Sequence, residues 1–245
     1  MHPSLVGQVR QVRVIEGLRS DTMIERMPDG STGMLLRMLG DGVGDVSVAG
    51  PRTRALFKRA PPAELAVFVE FEPGAGVPFL GVPPHTIADR YARIEDVWGS
   101  EGSRVRDRLL ASRTPTQART ALEQALADRL RASPSRASTR LARRAVARLS
   151  SCDMKIESLA AELGVSTRHL RRVFTEAVGV TPKAFARIVR LQRALAPAMR
   201  SSSWTERALE AGYYDQAHFI AEFRDLVGTT PARFSRREPA WPTER

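Results

Sequence analysis

The pattern that decides the fold occurs twice: residues 174–185 read FTEAVGVTPKAF, and residues 223–234 read FRDLVGTTPARF. Both copies hold a phenylalanine, a glycine, a Thr-Pro pair and a second phenylalanine, with an offset of 49 residues throughout. Upstream, Gly164 and Gly212 match at an offset of 48, so one copy has a single extra residue in its turn. An ordered match of this kind indicates two copies of one supersecondary unit.

The first copy has the pattern of two short helices joined by a glycine turn. The first of these helices has an apolar face formed by Ile156, Leu159, Ala160 and Leu163. Gly164 tolerates the left-handed conformation that commonly ends a helix, and Ser166 can cap the next helix by accepting a bond from a free N–H. We expect that next helix to run from Thr167 to about Val178, which makes the unit a helix-turn-helix.

This second helix has an apolar stripe and an opposite basic stripe. The apolar stripe consists of Leu170, Val173, Phe174 and Ala177, and the basic stripe of Arg168, Arg171, Arg172 and Thr175. A helix in a major groove can bring guanidinium groups to base edges or phosphates. A basic face that meets only solvent is the alternative, but the glycine turn, the duplication and the regional charge favour DNA contact.

The second copy repeats the arrangement with different outward residues. Its first helix carries Trp204, Ala208 and Leu209; Gly212-Tyr213-Tyr214 forms the turn and Asp215 is the predicted cap. The predicted inward residues of its second helix are Phe219, Phe223 and Val227, and the outward ones are Gln216, Ala217, His218, Ala221 and Arg224. Gln216 can pair with adenine and Arg224 can reach a phosphate. Two interpretations of His218 remain: a residue that contacts a base, or a buried histidine bonded to a backbone carbonyl.

A helix between the two units is predicted over residues 183–199, about 17 residues and ~25 Å long. Its predicted basic side carries Arg187, Arg190 and Arg193, and its inward side Ile188, Leu191 and Leu195. Pro197 is expected to end or kink it. A connector of this length can present two helices to successive major grooves, which lie ~34 Å apart along one side of a duplex.

Charge divides the 245-residue chain into two unequal parts. Residues 1–130 hold 17 Lys and Arg against 16 Asp and Glu, whereas residues 131–245 hold 21 against 11. Nearly all of the net charge of +11 therefore lies in the last 115 residues. This asymmetry favours a polyanion as the partner of that half.

The first ~100 residues read as β-rich. Apolar runs at 33–39 and 66–71 alternate with turn signals such as Pro28-Asp29-Gly30 and Gly40-Asp41-Gly42. Two helices are predicted further on, at about 103–112 and 116–131. The aromatic residues of this part either line a ligand pocket or fill its core: Phe57, Phe68, Phe71, Phe79, Tyr91 and Trp98.

The C-terminal motifs resemble the DNA-binding region of AraC/XylS-type transcription regulators over about residues 139–237. The resemblance rests on LAAELGVSTRHLRRVF at 159–174 and AGYYDQAHF at 211–219, followed by Phe223-Arg224 and Gly228-Thr229-Thr230-Pro231. It implies two helix-turn-helix units joined by a long helix, with the outward residues of the first recognition helix reading bases. The DNA-binding candidates are Ser166, Arg168, His169, Arg171, Arg172, Thr175, Gln216, His218 and Arg224.

One residue departs from the family pattern. Members usually carry an arginine that contacts DNA two residues after the aromatic matched by Phe219, and this chain has Ala221 there. The second unit is therefore expected to read fewer bases and mainly to position the protein on the DNA backbone.

The N-terminal part is similar, more weakly, to the cupin-like sensory domains that precede this region in many relatives, some of which bind small molecules or mediate dimers.

The predicted class is α+β, a β-rich domain followed by an all-α one. We divide the chain into a sensory or regulatory domain at 1–100, a helical segment at 101–131, a linker at 132–138, the double helix-turn-helix domain at 139–237 and a tail at 238–245. The helical segment either forms a dimer interface or packs on its own domain.

Enzyme chemistry finds little support in the residues. The N-terminal part holds only His2 and His85, too few for a histidine metal cluster, and it has neither a Gly-x-Ser-x-Gly elbow nor a phosphate-binding loop. Some relatives couple this DNA-binding region to cysteine-based DNA repair, for which Cys152 is the one candidate. A small, partly buried residue is the better interpretation of this cysteine. No metal or cofactor is predicted.

We therefore predict a sequence-specific transcription regulator that binds double-stranded DNA. We expect it in the cytoplasm, since no secretory signal and no apolar run of ~20 residues is visible. A small-molecule effector, RNA polymerase and a second copy of the chain are its further candidate partners. The alternatives are a non-specific architectural DNA-binding protein, a repair enzyme that uses Cys152, and an interaction protein that no longer binds DNA.

Overall fold

The computed structural model describes residues 1–133, 137–196 and 203–235, and it shows a β-rich domain followed by an all-helical one. The predicted α+β class is confirmed. The strands of the first domain are β1 (Val9–Leu18), β2 (Met23–Arg26), β3 (Thr32–Gly40), β4 (Val43–Ala49), β5 (Leu56–Arg59), β6 (Ala63–Phe71) and β7 (Tyr91–Arg93).

Among the described residues, the strands form one large sheet and one small ribbon. The large sheet is antiparallel and has the order β1-β6-β3-β4-β7, while β2 and β5 pair with each other as a separate two-stranded ribbon. The predicted strands at 33–39 and 66–71 lie in β3 and β6, and the predicted turn at 40–42 joins β3 to β4.

Both faces of the large sheet are covered, which explains why β6 is apolar almost throughout. Val67, Val69 and Phe71 belong to the main core. Ala66, which alternates with them, packs in a smaller cluster with Leu18 and residues of the ribbon. Successive side chains of a strand point to opposite faces, so helices cover one face of the sheet and the ribbon covers the other.

The helices that follow β6 are α1 (Val77–Leu80), α2 (Ile94–Trp98), α3 (Ser100–Leu110) and α4 (Pro115–Ala132). The first 100 residues are β-rich as predicted, and within them residues 77–98 contain short helical turns and the three-residue β7. Pro78 and Pro84 lie in the first turns of two of these segments. Proline fits the first turn of a helix because it needs no N–H bond there.

The helices predicted at 103–112 and 116–131 correspond to α3 and α4. The apolar stripe of α4 packs into the core of its own domain through Leu122, Ala125 and Leu126. This face of α4 is therefore occupied by its own domain.

The helices of the second domain are α5 (Ala137–Ser151), α6 (Ile156–Glu162), α7 (Thr167–Val178), α8 (Pro182–Leu195), α9 (Trp204–Glu210), α10 (Gln216–Val227) and α11 (Pro231–Phe234). The central part of the predicted linker, 134–136, lies outside the described residues, as does the predicted tail. No helix within the described ranges has the length and apolar content that a membrane span requires.

The connector helix is shorter than predicted. α8 has 14 residues, or ~21 Å, because it ends at Leu195 rather than near residue 199. Ala196 is extended, with φ −56° and ψ 142°, and the residue before a proline is biased away from the helical region. Pro197 itself lies outside the described residues.

Candidate nucleic-acid interface

The first helix-turn-helix unit consists of α6, a turn at 163–166 and α7. Gly164 has a φ of +70°, which glycine adopts without the penalty that a Cβ would bring. The Ser166 hydroxyl accepts a hydrogen bond from the His169 N–H at 3.2 Å, so the predicted cap is confirmed. The hydroxyl oxygen of Ser166, one of the DNA-binding candidates, therefore caps the N-terminus of α7.

The predicted two faces of α7 are both present. The apolar residues Leu170, Val173, Phe174 and Ala177 are buried. The opposite face exposes Arg168, His169, Arg171 and Arg172, and Thr175 is half-buried. The first helix-turn-helix unit thus presents three guanidinium groups to solvent on one side of its second helix.

The three arginines differ in their neighbours. Arg172 donates to the Glu176 carboxylate at 3.0 Å, and Arg171 lies 3.5 Å from the Glu157 carboxylate. Within the described residues, Arg168 belongs to no ion pair of this kind. Exposed pairs are weak, at about 0–1 kcal/mol, so Arg171 and Arg172 can exchange their carboxylate partners for a polyanion.

The second unit consists of α9, a turn at 211–215 and α10. Asp215 caps α10, because its carboxylate accepts a hydrogen bond from the His218 N–H at 2.7 Å. Phe219, Phe223 and Val227 are buried as predicted. Leu209, in contrast, is 60% exposed.

The outward side of α10 is nearly uncharged. Gln216, Ala217, His218, Ala221 and Arg224 are all exposed. The interpretation of His218 as a buried histidine is wrong, since the residue is exposed. Within the described ranges its ring makes an edge contact with Tyr213, with 5.4 Å between ring centroids. Arg224 is the one cation among these five residues.

A buried ion network, which sequence reasoning missed, fixes α8 against α10. Glu222 is buried and accepts a hydrogen bond from Arg187 at 2.9 Å, while its second carboxylate oxygen lies 3.6 Å from Arg190. Arg187 also donates to Asp225 at 2.7 Å, and this bond holds the pKa of Asp225 below its usual value. The signal was present, because Glu222 interrupts the apolar stripe of Phe219 and Phe223 opposite the arginines of α8.

The arginines on the predicted basic side of α8 therefore bond to other residues of the protein. Arg190 also lies 3.6 Å from Asp153, in the segment between α5 and α6. Arg193 donates to the Ser150 carbonyl oxygen at 3.0 Å. These arginines join the two units to each other and to α5.

The β domain packs against both units on their other side. A Cβ placed on Gly179, at the end of α7, would lie 2.7 Å from Pro51 and from Pro84. On the second unit, the Ala55 N–H donates to the Leu226 carbonyl oxygen at 2.7 Å. We call these contacts, together with those of the 27–31 loop, the domain seam.

The 27–31 loop forms the centre of the domain seam. A Cβ on Gly30 would lie 2.7 Å from the Phe185 ring of α8. The Gln192 side-chain amide donates to the Pro28 carbonyl oxygen, and Met27 packs against the core of the second unit. The β domain therefore touches the connector as well as the two units.

The six aromatic residues considered for the β domain lie in three different environments. Phe71, Phe79 and Trp98 lie in the main core, as the core interpretation predicts. Phe57 packs against the second helix-turn-helix unit instead. The remaining two, Phe68 and Tyr91, line a cavity.

The geometry defines a class: a helical DNA-binding domain with two helix-turn-helix units that face outward and a β domain docked behind them. The family described as "Helix-turn-helix domain" matches residues 159–237. The C-terminal region is an AraC-type helix-turn-helix domain, which confirms the resemblance drawn from the sequence.

Curated relatives match the same region. The chain is 30% identical over 79 residues to the "Bifunctional transcriptional activator/DNA repair enzyme Ada" of Escherichia coli K12, which is 32% of this chain and 22% of that protein. It is 31% identical over 78 residues to the "Invasion protein InvF" of Salmonella typhimurium, 31% of this chain and 36% of InvF. The chain thus spans between about a fifth and about a third of the length of these relatives.

Solved structures also show a likeness. ToxT from Vibrio cholerae O395 aligns with a TM-score of 0.43 and 9% identity, over 91% of this chain and 96% of ToxT. The C-terminal domain of AraT from Geobacillus stearothermophilus aligns with a TM-score of 0.37 and 24% identity, over 42% of this chain and 91% of that domain.

Proposed function

We propose that this protein is a sequence-specific DNA-binding transcription regulator that reads bases mainly with its first helix-turn-helix unit. The observation that carries the proposal is the exposed face of α7, where Arg168, Arg171 and Arg172 project from a helix whose opposite face is buried. Arginine is the side chain best suited to recognise guanine through two hydrogen bonds in the major groove. Ser166, His169 and Thr175 flank this face.

The second unit serves chiefly to position the protein on the DNA backbone. Its exposed face offers Arg224 to a phosphate and Gln216 to a base edge, with His218 beside them, but Ala217 and Ala221 offer no polar group. Phosphate contacts fix register and orientation without carrying sequence information directly. The ion network around Glu222 supports this role because it holds α10 in a set orientation relative to α8.

The β domain regulates DNA binding through the domain seam, which joins it to both units and to the connector. Its candidate partners are a small-molecule effector and a second copy of the chain, and RNA polymerase is the candidate partner of the bound complex. Since the target is DNA, we place the protein in the cytoplasm.

We propose no catalytic role for Cys152. The thiol is half-buried and donates to the Arg148 carbonyl oxygen at 3.4 Å. Reactive cysteines usually lie in accessible, electropositive surroundings. The match to Ada covers the helix-turn-helix region and no more.

Capture of genomic DNA by the full-length protein, followed by sequencing, tests this function. We expect a compact enriched motif, and we expect binding to that motif to exceed binding to random duplex at two salt concentrations. Enrichment without a motif would favour an architectural protein that binds through phosphates. A failure to retain DNA would favour the interaction protein.

A further inference from the structure

The turns of the two helix-turn-helix units differ in length by one residue. Gly164 and Gly212 are 48 positions apart, whereas the caps Ser166 and Asp215 are 49 positions apart. The extra residue of the second turn therefore lies between Gly212 and Asp215.

Backbone hydrogen bonds identify this extra residue as Tyr214. The Val165 N–H donates to the Ala160 carbonyl oxygen at 3.0 Å. The Tyr213 N–H donates to the Ala208 carbonyl oxygen at 2.9 Å. Each acceptor lies five residues before its donor, so Val165 and Tyr213 occupy the same place in the two turns. Tyr214 has no counterpart in the first turn.

The side chain of Tyr214 points into solvent. The residue is 89% exposed, the highest value among the exposed large hydrophobic residues of the described ranges. Its neighbour Tyr213 is buried and packs its ring on Phe219, with 5.0 Å between ring centroids. The extra residue therefore adds an amphipathic side chain to the surface of the second unit rather than to its core.

This surface lies at the start of the second recognition helix. Tyr214 directly precedes the cap Asp215, and α10 begins at Gln216. In helix-turn-helix proteins the N-terminal residues of the recognition helix reach base edges in the major groove. The phosphate backbone forms the rims of that groove, so a residue just before the helix meets phosphate before it meets a base.

A neutral hydroxyl suits this place better than a charged group. The Asp215 carboxylate is exposed, accepts a hydrogen bond from the His218 N–H at 2.7 Å and carries a negative charge that repels phosphate. A tyrosine hydroxyl is a neutral donor, and tyrosine is among the side chains that bond to phosphate oxygens. The phenol is longer than the aspartate side chain, so it can reach a phosphate that lies beyond the carboxylate.

We propose that Tyr214 is a DNA-contacting residue whose hydroxyl donates a hydrogen bond to a phosphate oxygen of the DNA backbone. The proposal rests on the proposed function and deepens it, because it assigns a second backbone contact to the unit that offers Arg224 to a phosphate. The contact compensates in part for Ala217 and Ala221, which bring no polar group to the DNA. The first unit has no equivalent, since its turn lacks this residue.

Tyr214→Phe in the full chain removes the hydroxyl and keeps the ring. We expect affinity for a duplex that carries the enriched motif, called the selected DNA site, to fall at least ~3-fold, and affinity for random duplex to fall equally. Fluorescence anisotropy measures both. A loss on the selected DNA site alone would mean that Tyr214 reads a base, and unchanged affinity on both duplexes would mean that its partner is not DNA; either result overturns the proposal.

Tyr91→Phe is the matched control, because it removes the same hydroxyl from an exposed tyrosine of β7 in the other domain. It should leave both affinities unchanged, and a loss equal to that of Tyr214→Phe would overturn the proposal. Tyr214→Ala separates the ring from the hydroxyl. If Tyr214→Ala weakens binding and Tyr214→Phe does not, the ring makes the contact and the hydrogen bond is wrong.

The salt dependence distinguishes Tyr214 from a cationic contact. A neutral donor releases no counterion, so Tyr214→Phe should leave the slope of log affinity against log salt unchanged. Arg224→Ala should lower the magnitude of that slope by ~0.9. A change of this size in Tyr214→Phe would contradict a direct contact by a neutral group.

Nitration by tetranitromethane, read by mass spectrometry, locates Tyr214 without a substitution. In the free chain Tyr214 should be nitrated, and saturating duplex should lower its nitration at least ~3-fold. Nitration of Tyr91 should stay the same with and without duplex. Equal nitration of Tyr214 in the free and bound chain would overturn the proposal.

The native chain separates failure of this proposal from failure of the proposed function. If the native chain binds the selected DNA site and Tyr214→Phe binds it equally well, only the assignment of Tyr214 is wrong. If the native chain binds no duplex, the proposed function and this assignment are both wrong. Equal binding of the native chain to selected and random duplex would contradict sequence-specific recognition, and an equal loss in Tyr214→Phe would still support the phosphate contact.

Discussion

The two helix-turn-helix units share a backbone plan and differ at their surfaces. The residues 49 positions after Arg168, Arg171 and Arg172 are Ala217, Ile220 and Ala221, so the second recognition helix lacks all three guanidinium groups. The caps differ in chemistry but not in role, since Ser166 and Asp215 each accept a hydrogen bond from the N–H three residues on.

The two units also differ in the contacts that fix their positions in the protein. Gly179 and Gly228 end the recognition helices with similar positive φ angles, but prolines of the β domain crowd only Gly179, and a Cβ on Gly228 would meet open space. Glu222 of the second unit stands where the first unit has the buried Val173. The duplicated core therefore tolerates one copy that exposes three arginines and docks closely on the β domain, and another whose position depends on ion pairs.

Replacing Glu222 by the residue of the first copy, Glu222→Val, should have the largest effect. The substitution leaves Arg187 and Arg190 without their shared carboxylate, and breaking a buried pair by removing one partner costs ~3 kcal/mol or more. We expect the free energy of unfolding in urea to fall by about 3 kcal/mol. Asp225→Ala, which removes the more exposed partner of Arg187, should cost less than 1 kcal/mol, as exposed pairs do. Equal losses would show that burial of Glu222 contributes little.

Gly179→Ala compared with Gly228→Ala measures the contact between the first unit and the β domain. Both substitutions place a Cβ on a left-handed residue, at a cost of ~1 kcal/mol. Only Gly179→Ala brings that atom within 2.7 Å of Pro51 and Pro84, and we expect it to cost about 1 kcal/mol more because overpacking forces the backbone to shift. Urea unfolding of the two variants measures the difference. Similar losses would mean that the two domains separate without cost.

Much of the helical domain was predictable because its signals are local. The glycine turns, the caps Ser166 and Asp215, and the Thr-Pro starts of α8 and α11 depend on residues a few positions apart. The boundaries of α7 follow from such signals alone. The end of α8 was misplaced because Pro197 acts on the residue before it as well as on its own position.

The domain seam and the cavity were not predictable, because each joins residues far apart in the chain. The ion network gave one local signal, the charged Glu222 within the apolar stripe of α10. The division of the six aromatic residues among core, seam and cavity depends on which face of the sheet each strand residue occupies. A one-residue change of register would exchange these faces.

Arg168→Ala should weaken binding to the selected DNA site by ~2 kcal/mol, within the ~1–3 kcal/mol range for an arginine that reads a base. Arg224→Ala in the second unit should weaken binding to selected and random duplex alike, since a phosphate contact is independent of sequence. Fluorescence anisotropy with both duplexes separates the two effects. An equal loss on both duplexes for Arg168→Ala would show that this residue touches phosphate only.

Ala221→Arg, which restores at the second unit the residue equivalent to Arg172, should have the smallest effect and the opposite sign. Ala221 is exposed on α10, so an arginine there can reach the DNA backbone without disturbing the core. We expect binding to tighten by about 0.5–1 kcal/mol on every sequence, and the dependence of log affinity on log salt to steepen by ~0.9 for the added phosphate contact. Thr205→Arg adds the same charge on the exposed side of α9 and serves as the matched control. If the control tightens binding as much, the gain is due to net charge, and if Ala221→Arg gains affinity for one sequence only, the second unit reads bases after all.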